Sequence, residues 1–142
     1  MMGTISKDFS YREFERSETA DKKGICNVIT SFEVRDAIKE LVDTVLQPLR
    51  ENWGKPMHIN SGYRCPELNK LVGGQPTSQH VKGEAADVAC DKPVELARLA
   101  AAMCLPYDQM ILYPTFVHFS HKLNGQQRAQ ILYSRNYTGE KV

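Results

Sequence analysis

Ser78-Gln79-His80-Val81-Lys82-Gly83-Glu84-Ala85-Ala86-Asp87 sets a histidine, a glycine three residues on and an aspartate seven residues on. On a helix, positions seven apart share a face. Gly83 between them and the small Ala85 and Ala86 argue instead for a turn that leads into a short buried strand over 85–89. Asp87 then lies between Ala86 and Val88, and an ionised carboxylate in apolar surroundings needs a partner or a metal. A second histidine, His118, stands between Val117 and Phe119 on another expected strand and is placed to point inward. Two imidazoles and one carboxylate suit zinc, and three protein ligands leave the open fourth position that a catalytic site requires. The plainer alternatives are a buried His80–Asp87 hydrogen bond and a hydrogen-bonded core histidine at 118. His58, opposite in phase to Met57 and Ile59, is expected to be exposed, and His121, after Ser120 near a strand end, to be solvated.

Upstream of this stretch, Val34, Ala37, Ile38, Leu41, Val45, Leu46 and Leu49 recur at three- and four-residue steps. They predict an amphipathic helix over 31–51, capped by Ser31 or Thr30, which Pro48 should kink or end. After residue 54 the period changes to two, with Met57, Ile59 and Ser61 alternating with His58 and Asn60 as in a strand. Earlier still, Ser10 followed by Glu13 is a capping-box pattern, with Phe9 and Phe14 placed to staple a short helix over 9–17. The polar stretch 21–27 predicts a loop, and 66–71 a helical turn. Downstream, 93–104 predicts a second long helix with Pro93 early in it. Strands are expected at 109–112 and 116–120, a last helical turn at 126–132, and a frayed final ten residues. The order of elements is that of a single mixed α+β domain over 1–142, with its core at roughly 30–133 and an N-terminal helical extension at 8–29.

With 42% hydrophobic and 25% charged residues in 142, the chain is globular in composition and long enough to bury a core without covalent staples. Its 18 basic and 17 acidic side chains give a net charge of +1, which offers no footprint for nucleic acid or an anionic membrane. No apolar run reaches the length of a membrane span, and no apolar leader is visible near the N-terminus, so a cytoplasmic protein is the expectation, with the cell wall as the place of action if the family reading below holds. Cys26, Cys65, Cys90 and Cys104 form no CxxC pair and are expected to be reduced thiols.

Four motifs occur in order: Ser61-Gly62-Tyr63-Arg64-Cys65-Pro66-Glu67-Leu68-Asn69; Val72-Gly73-Gly74; Ser78-x-His80-x-x-Gly83-x-Ala85-x-Asp87; and Val117-His118-Phe119-Ser120. Together they resemble the zinc D-alanyl-D-alanine carboxypeptidase family of peptidoglycan peptidases, which includes related phage endolysins. The resemblance implies an antiparallel sheet flanked by helices, a fold shared with Hedgehog signalling domains. It implies one zinc ion on His80, Asp87 and His118, and a peptidoglycan stem peptide as substrate. It assigns Arg64 to the substrate's polarised carbonyl or carboxylate, a task suited to a planar, always charged fork of donors. The alternative for Arg64 is a surface salt bridge to Glu67. Ser78 either hydrogen-bonds substrate or supports the metal loop, or simply caps a turn.

The family's general base, a carboxylate or histidine shortly before the last zinc ligand, has no counterpart at Tyr113, Pro114, Thr115, Phe116 or Val117. Asp108 and Gln109 precede the strand at 109–112 as an Asp-Gln pair that is also family-like. By strand alternation residues 109, 111 and 113 share one face, which groups Gln109 with Tyr113 in the pocket and leaves Asp108 on the other face or at the strand's start. Tyr113 is therefore preferred to Asp108 as the pocket residue, as a hydrogen-bond donor, with His121 next in line. The function expected is that of a zinc peptidase of weak activity. The alternative is an inactive zinc-stabilised module that grips peptidoglycan.

Overall fold

The computed structural model describes residues 3–142. Helices α1 (Tyr11–Glu15) and α2 (Glu18–Lys23) lead into α3 (Phe32–Leu41). A π-helical turn, Val42–Leu46, joins α3 to α4 (Gln47–Trp53). Then follow β1 (His58–Ser61), α5 (Pro66–Leu71), β2 (Ala85–Ala89), α6 (Pro93–Ala102), β3 (Gln109–Leu112), β4 (Phe116–Ser120) and β5 (Gln130–Tyr133). Among the described residues no helix is long and apolar enough to cross a membrane.

The five strands form one sheet in the order β1-β2-β4-β3-β5. The α+β class is as expected. The sheet, however, is mixed: β1, β2, β4 and β3 pair antiparallel, whereas β5 pairs parallel with β3, Gln109 facing Gln130 and Leu112 facing Tyr133. The helical turn expected at 126–132 does not form: 126–129 is irregular, and β5 begins at Gln130. A short apolar run such as Ile131-Leu132-Tyr133 does not by its period distinguish helix from strand, and here the open edge of β3 decides.

Alternation along the strands separates two faces. Ala86 and Val88, Val117 and Phe119, and Met110 and Leu112 have no exposed surface and form the floor of the core. Ile38, Leu41, Val42, Val45, Leu46 and Leu49 from the long helix cover them, with Leu96, Ala97 and Ala100 of α6. Burying each large aliphatic side chain contributes about 1.5–3 kcal/mol, so this two-layer contact dominates the fold. Asp87 and His118 lie out of phase with those residues and so point to the opposite face, away from the core. Their apolar sequence neighbours belong to the other side of the sheet.

Local chemistry explains the N-terminal elements. Ser10 N donates to the Glu13 carboxylate at 2.9 Å, and Phe9 and Phe14 are both buried, as the capping-box pattern requires. The stretch expected to be a loop from residue 21 begins as the end of α2, which Ser17 caps by accepting from Ala20 N at 3.1 Å and Gly24 closes at φ 67°. In the long helix regularity changes one turn before Pro48. The Gln47 N–H reaches back to the Val42 carbonyl, five residues away. Proline brings no N–H and crowds the carbonyl four residues before it, and the wider turn accommodates both effects.

The final residues are pinned rather than frayed. Arg98 Nη2 donates to Glu140 at 3.0 Å and to the Lys141 carbonyl at 2.7 Å, and Val142 N donates to the Tyr133 hydroxyl at 2.9 Å. All four cysteines are free thiols.

Candidate metal centre and cleft

Asp87 on β2 and His118 on β4 are direct cross-strand partners, so the sheet register alone brings them together on the open face. His118 Nδ1 lies 2.9 Å from Asp87 Oδ1. His80 arrives from outside the sheet, on the turn before β2. That turn is closed by Val81 N to Ser78 O, Lys82 N to Gln79 O and Gly83 N to His80 O. Gly83 makes it possible: its φ is +76°, and a Cβ there would sit 2.7 Å from the Val34 carbonyl of α3. His80 is 2% exposed. Its Nδ1 lies 2.7 Å from the Gly62 carbonyl, which can only accept, so Nδ1 carries the proton. The Nε2 lone pair is thereby turned toward Asp87 Oδ1, 3.4 Å away.

One donor atom from each of His80, Asp87 and His118 lies within 4.8 Å of the others. Tetrahedral zinc with bonds of about 2.0–2.1 Å separates its ligand atoms by roughly 3.3 Å, so these three donors fit the ion. The charge pattern agrees. Burial pushes the Asp87 carboxyl up, but the neighbouring His118 and His80 imidazoles outweigh it and hold it well below the usual carboxylate range.

These three residues belong to a cleft of about 490 Å³, also lined by Arg64, Ser78, Gln79, Gln109, Ile111, Tyr113, Phe116 and Arg128. Arg64 follows β1 and is tied to the metal turn through its own N–H, which donates to the His80 carbonyl at 3.2 Å. Its Nη1 donates to Asn69 Oδ1 at 3.1 Å, and its buried Nε has no partner among the described residues. The alternative salt bridge to Glu67 does not form among the described residues. Burial lowers the Arg64 pKa from its ordinary value, against the favourable charge of Asp87. Gly74 leaves room for this arrangement, since a Cβ there would lie 2.1 Å from Asn69 Oδ1 and 2.8 Å from Arg64 Nη1.

Other residues singled out from the sequence divide into two groups. Ser78 lines the cleft, and its hydroxyl accepts from His80 N at 3.2 Å, so it caps the metal turn. Gln109 lines the cleft but spends its amide nitrogen on Gln130, 2.8 Å away on β5. Tyr113 lines the cleft and stacks on Phe116, with ring centroids 4.4 Å apart. Burial, followed by the charge of Asp87, raises the Tyr113 pKa, so the phenol remains a proton donor. Asp108 and His121 lie elsewhere. Asp108 has no exposed surface and is held by Arg128. His121 is buried rather than solvated, with Nδ1 against the Pro106 carbonyl at 2.6 Å and Nε2 against Glu40 at 2.9 Å. Neither occupies the wall of the cleft. Gln75, Thr77, Gln79, Ile111, Phe116 and Arg128 also line the cleft, and the motifs did not single them out. Arg128 is the least legible of them, because its carboxylate partner lies 20 residues away.

Set against known families, residues 7–121 match the model of the family described as Peptidase M15. That span includes both α1 and α2. No curated protein sequence matches the chain.

Proposed function

The chain belongs to the Peptidase M15 family, and from that premise we propose that it is a zinc-dependent peptidase acting on the stem peptides of bacterial peptidoglycan, at the cell wall. The convergence of His80, Asp87 and His118 on one open face carries this reading. These three residues hold the ion, and the Gly62 carbonyl fixes the His80 tautomer for it. Zinc bound there supplies Lewis-acid polarisation of a carbonyl and a more acidic water. Arg64, which lines the cleft, offers its guanidinium to the oxygen of the substrate's polarised carbonyl or carboxylate. Ser78 keeps the metal turn closed, and Tyr113 donates a hydrogen bond from the far wall.

Among the residues lining the cleft, Asp87 is the lone carboxylate, and it is a metal ligand. Removal of a proton from the attacking water therefore lacks a dedicated side chain, and turnover is slow. The same observation favours a second reading, a zinc-stabilised module that grips peptidoglycan without cutting it. Incubation of zinc-loaded protein with purified peptidoglycan separates the two. Slow release of peptide products, abolished in Asp87→Asn, is the expected result. Sedimentation with peptidoglycan and no product at any zinc concentration would leave the binding module.

A further inference from the structure

Asp108 is the most heavily engaged side chain outside the metal centre. Its Oδ1 accepts from Arg128 N at 2.8 Å and Arg128 Nε at 3.1 Å, and its Oδ2 accepts from Arg128 Nη2 at 2.6 Å and Gln79 Nε2 at 3.2 Å. Lys122 Nζ stands 4.0 Å away. The backbone is fixed as well, with Asp108 N on the Ser120 carbonyl and Gln130 N on the Asp108 carbonyl. One buried carboxylate thus faces two cations. The exposed part of the cluster is cationic, because the Asp108 side chain is 0% accessible and that of Arg128 is 44%.

Arg128 uses its Nε and Nη2 on Asp108, and Nη1 has no partner among the described residues. Anchored through Nε and Nη2, the guanidinium leaves Nη1 free, and Arg128, with 44% of its side chain exposed, lines the wall of the cleft that holds His80, Asp87, His118 and Arg64. A planar, permanently charged fork with little freedom left is the arrangement that binds a carboxylate with small entropic cost.

We infer that Arg128, positioned by Asp108, binds a carboxylate of the substrate peptide and so determines which peptides the cleft accepts. This rests on the peptide-cleaving reading above and adds a residue and a specificity to it. Two sources can supply that carboxylate, the free C-terminus of the peptide or an acidic side chain within it. A free C-terminus makes the protein a carboxypeptidase; a side chain leaves it an endopeptidase.

The test is a binding measurement on the zinc-loaded chain, by calorimetry, which does not depend on turnover. Three probes are compared: N-acetyl-D-alanyl-D-alanine, its C-terminal amide, and an amidated peptide whose single carboxylate is on a side chain. We expect the wild type to bind one of the two carboxylate probes about 30-fold more tightly than the neutral amide, the size of one charge-assisted pair. The probe that gains identifies the source. Arg128→Gln should erase the preference, Arg128→Lys should restore part of it, and Lys122→Gln should keep it. Should Arg128→Gln fail to fold, Asp108→Asn serves instead, with an intermediate loss expected because Arg128 keeps its charge but not its anchor. Equal binding of all three probes by the wild type overturns the inference, as does a full preference in a folded Arg128→Gln. Peptidoglycan hydrolysis that survives such a result leaves the peptidase reading standing. Loss of hydrolysis beside an intact Arg128-dependent preference strikes that reading instead.

Discussion

Asp87 on β2 and Asp108 just before β3 are two carboxylates that end in opposite roles. Burial pushes both carboxyls up, and in both cases the partners reverse it: the His118 and His80 imidazoles at Asp87, and hydrogen bonds from Arg128 at Asp108, which falls to about 2. The difference lies in the partners. An imidazole can present a lone pair on one nitrogen while its other nitrogen donates elsewhere, as His80 does to Gly62. Such a partner can share a metal with the carboxylate. A guanidinium has no lone pair to offer and keeps its charge at every relevant pH, so it locks the carboxylate in place. One aspartate is open to a ligand, and the other is an anchor.

The largest effect expected from this contrast is on metal content. Asp87→Asn and His80→Ala should reduce bound zinc from one ion per chain to background, measured by elemental analysis after desalting, while the melting temperature of the metal-free chains moves little. Asp108→Asn should do the reverse and keep its zinc. Full zinc in Asp87→Asn would remove the distinction between the two carboxylates.

Next in size is stability. Replacing the Asp108 carboxylate leaves a buried amide and an Arg128 without its partner. Breaking a buried pair costs about 3–5 kcal/mol, and Arg128 can turn to water, so about 2 kcal/mol is expected. By calorimetry this corresponds to a melting temperature lower by roughly 5–8 °C. A wild-type melting temperature in Asp108→Asn would reduce Asp108 to a bystander.

The contrast has a pH signature. The Asp108 carboxyl is lowered from 3.8 to about 2 on folding, so the ionised form favours the folded state. Its contribution is complete above pH 3.8 and is lost as pH falls through the folded value. The stability gap between wild type and Asp108→Asn should therefore hold constant above about pH 4 and close as the pH falls toward 2. Urea titrations at successive pH values read this directly, and a gap unchanged at pH 2 contradicts it. The smallest effect expected is at Tyr113. Tyr113→Phe keeps the stack on Phe116 and loses one donor, so zinc and melting temperature stay fixed and any turnover on peptidoglycan falls by less than about 10-fold.

The two carboxylates also differ in how far the sequence reveals them. The grouping of His80, Asp87 and His118 was legible because the spacing from His80 through Gly83 to Asp87 encodes a turn and a strand, and because a second strand carries His118. The long helix and β1 followed from period, β2 from the turn at Gly83, and β3 and β4 were also expected as strands. Asp108 was not legible as an anchor, since its partner Arg128 sits in a segment whose short apolar run reads equally as helix or strand. His121 was expected in water because nothing near it in sequence announces Glu40, 81 residues away. What escaped was in each case set by pairings across the chain: a parallel edge strand, and polar partners chosen by the fold. Local chemistry was missed once, at α2, where Ser17 and Gly24 mark both ends of a helix whose later residues are polar enough to pass for a loop.

The π turn between α3 and α4 has a bearing on how this molecule can vary. Each backbone bond there spans one residue more than in an α-helix, as from Gln47 back to Val42. A segment wound this way carries a spare residue between two fixed ends. Upstream, α3 lies against Gly83 in the turn that presents His80. Downstream, α4 lies against α6 on the far side of the core. A genetic deletion of one codon at Thr44, which is only partly buried, restores an ordinary helix with both ends in register. The same deletion within Ser78–Asp87 shifts a ligand out of its register. Length is negotiable at the first place and fixed at the second, so lineages of this chain should differ in residue number at the former before the latter.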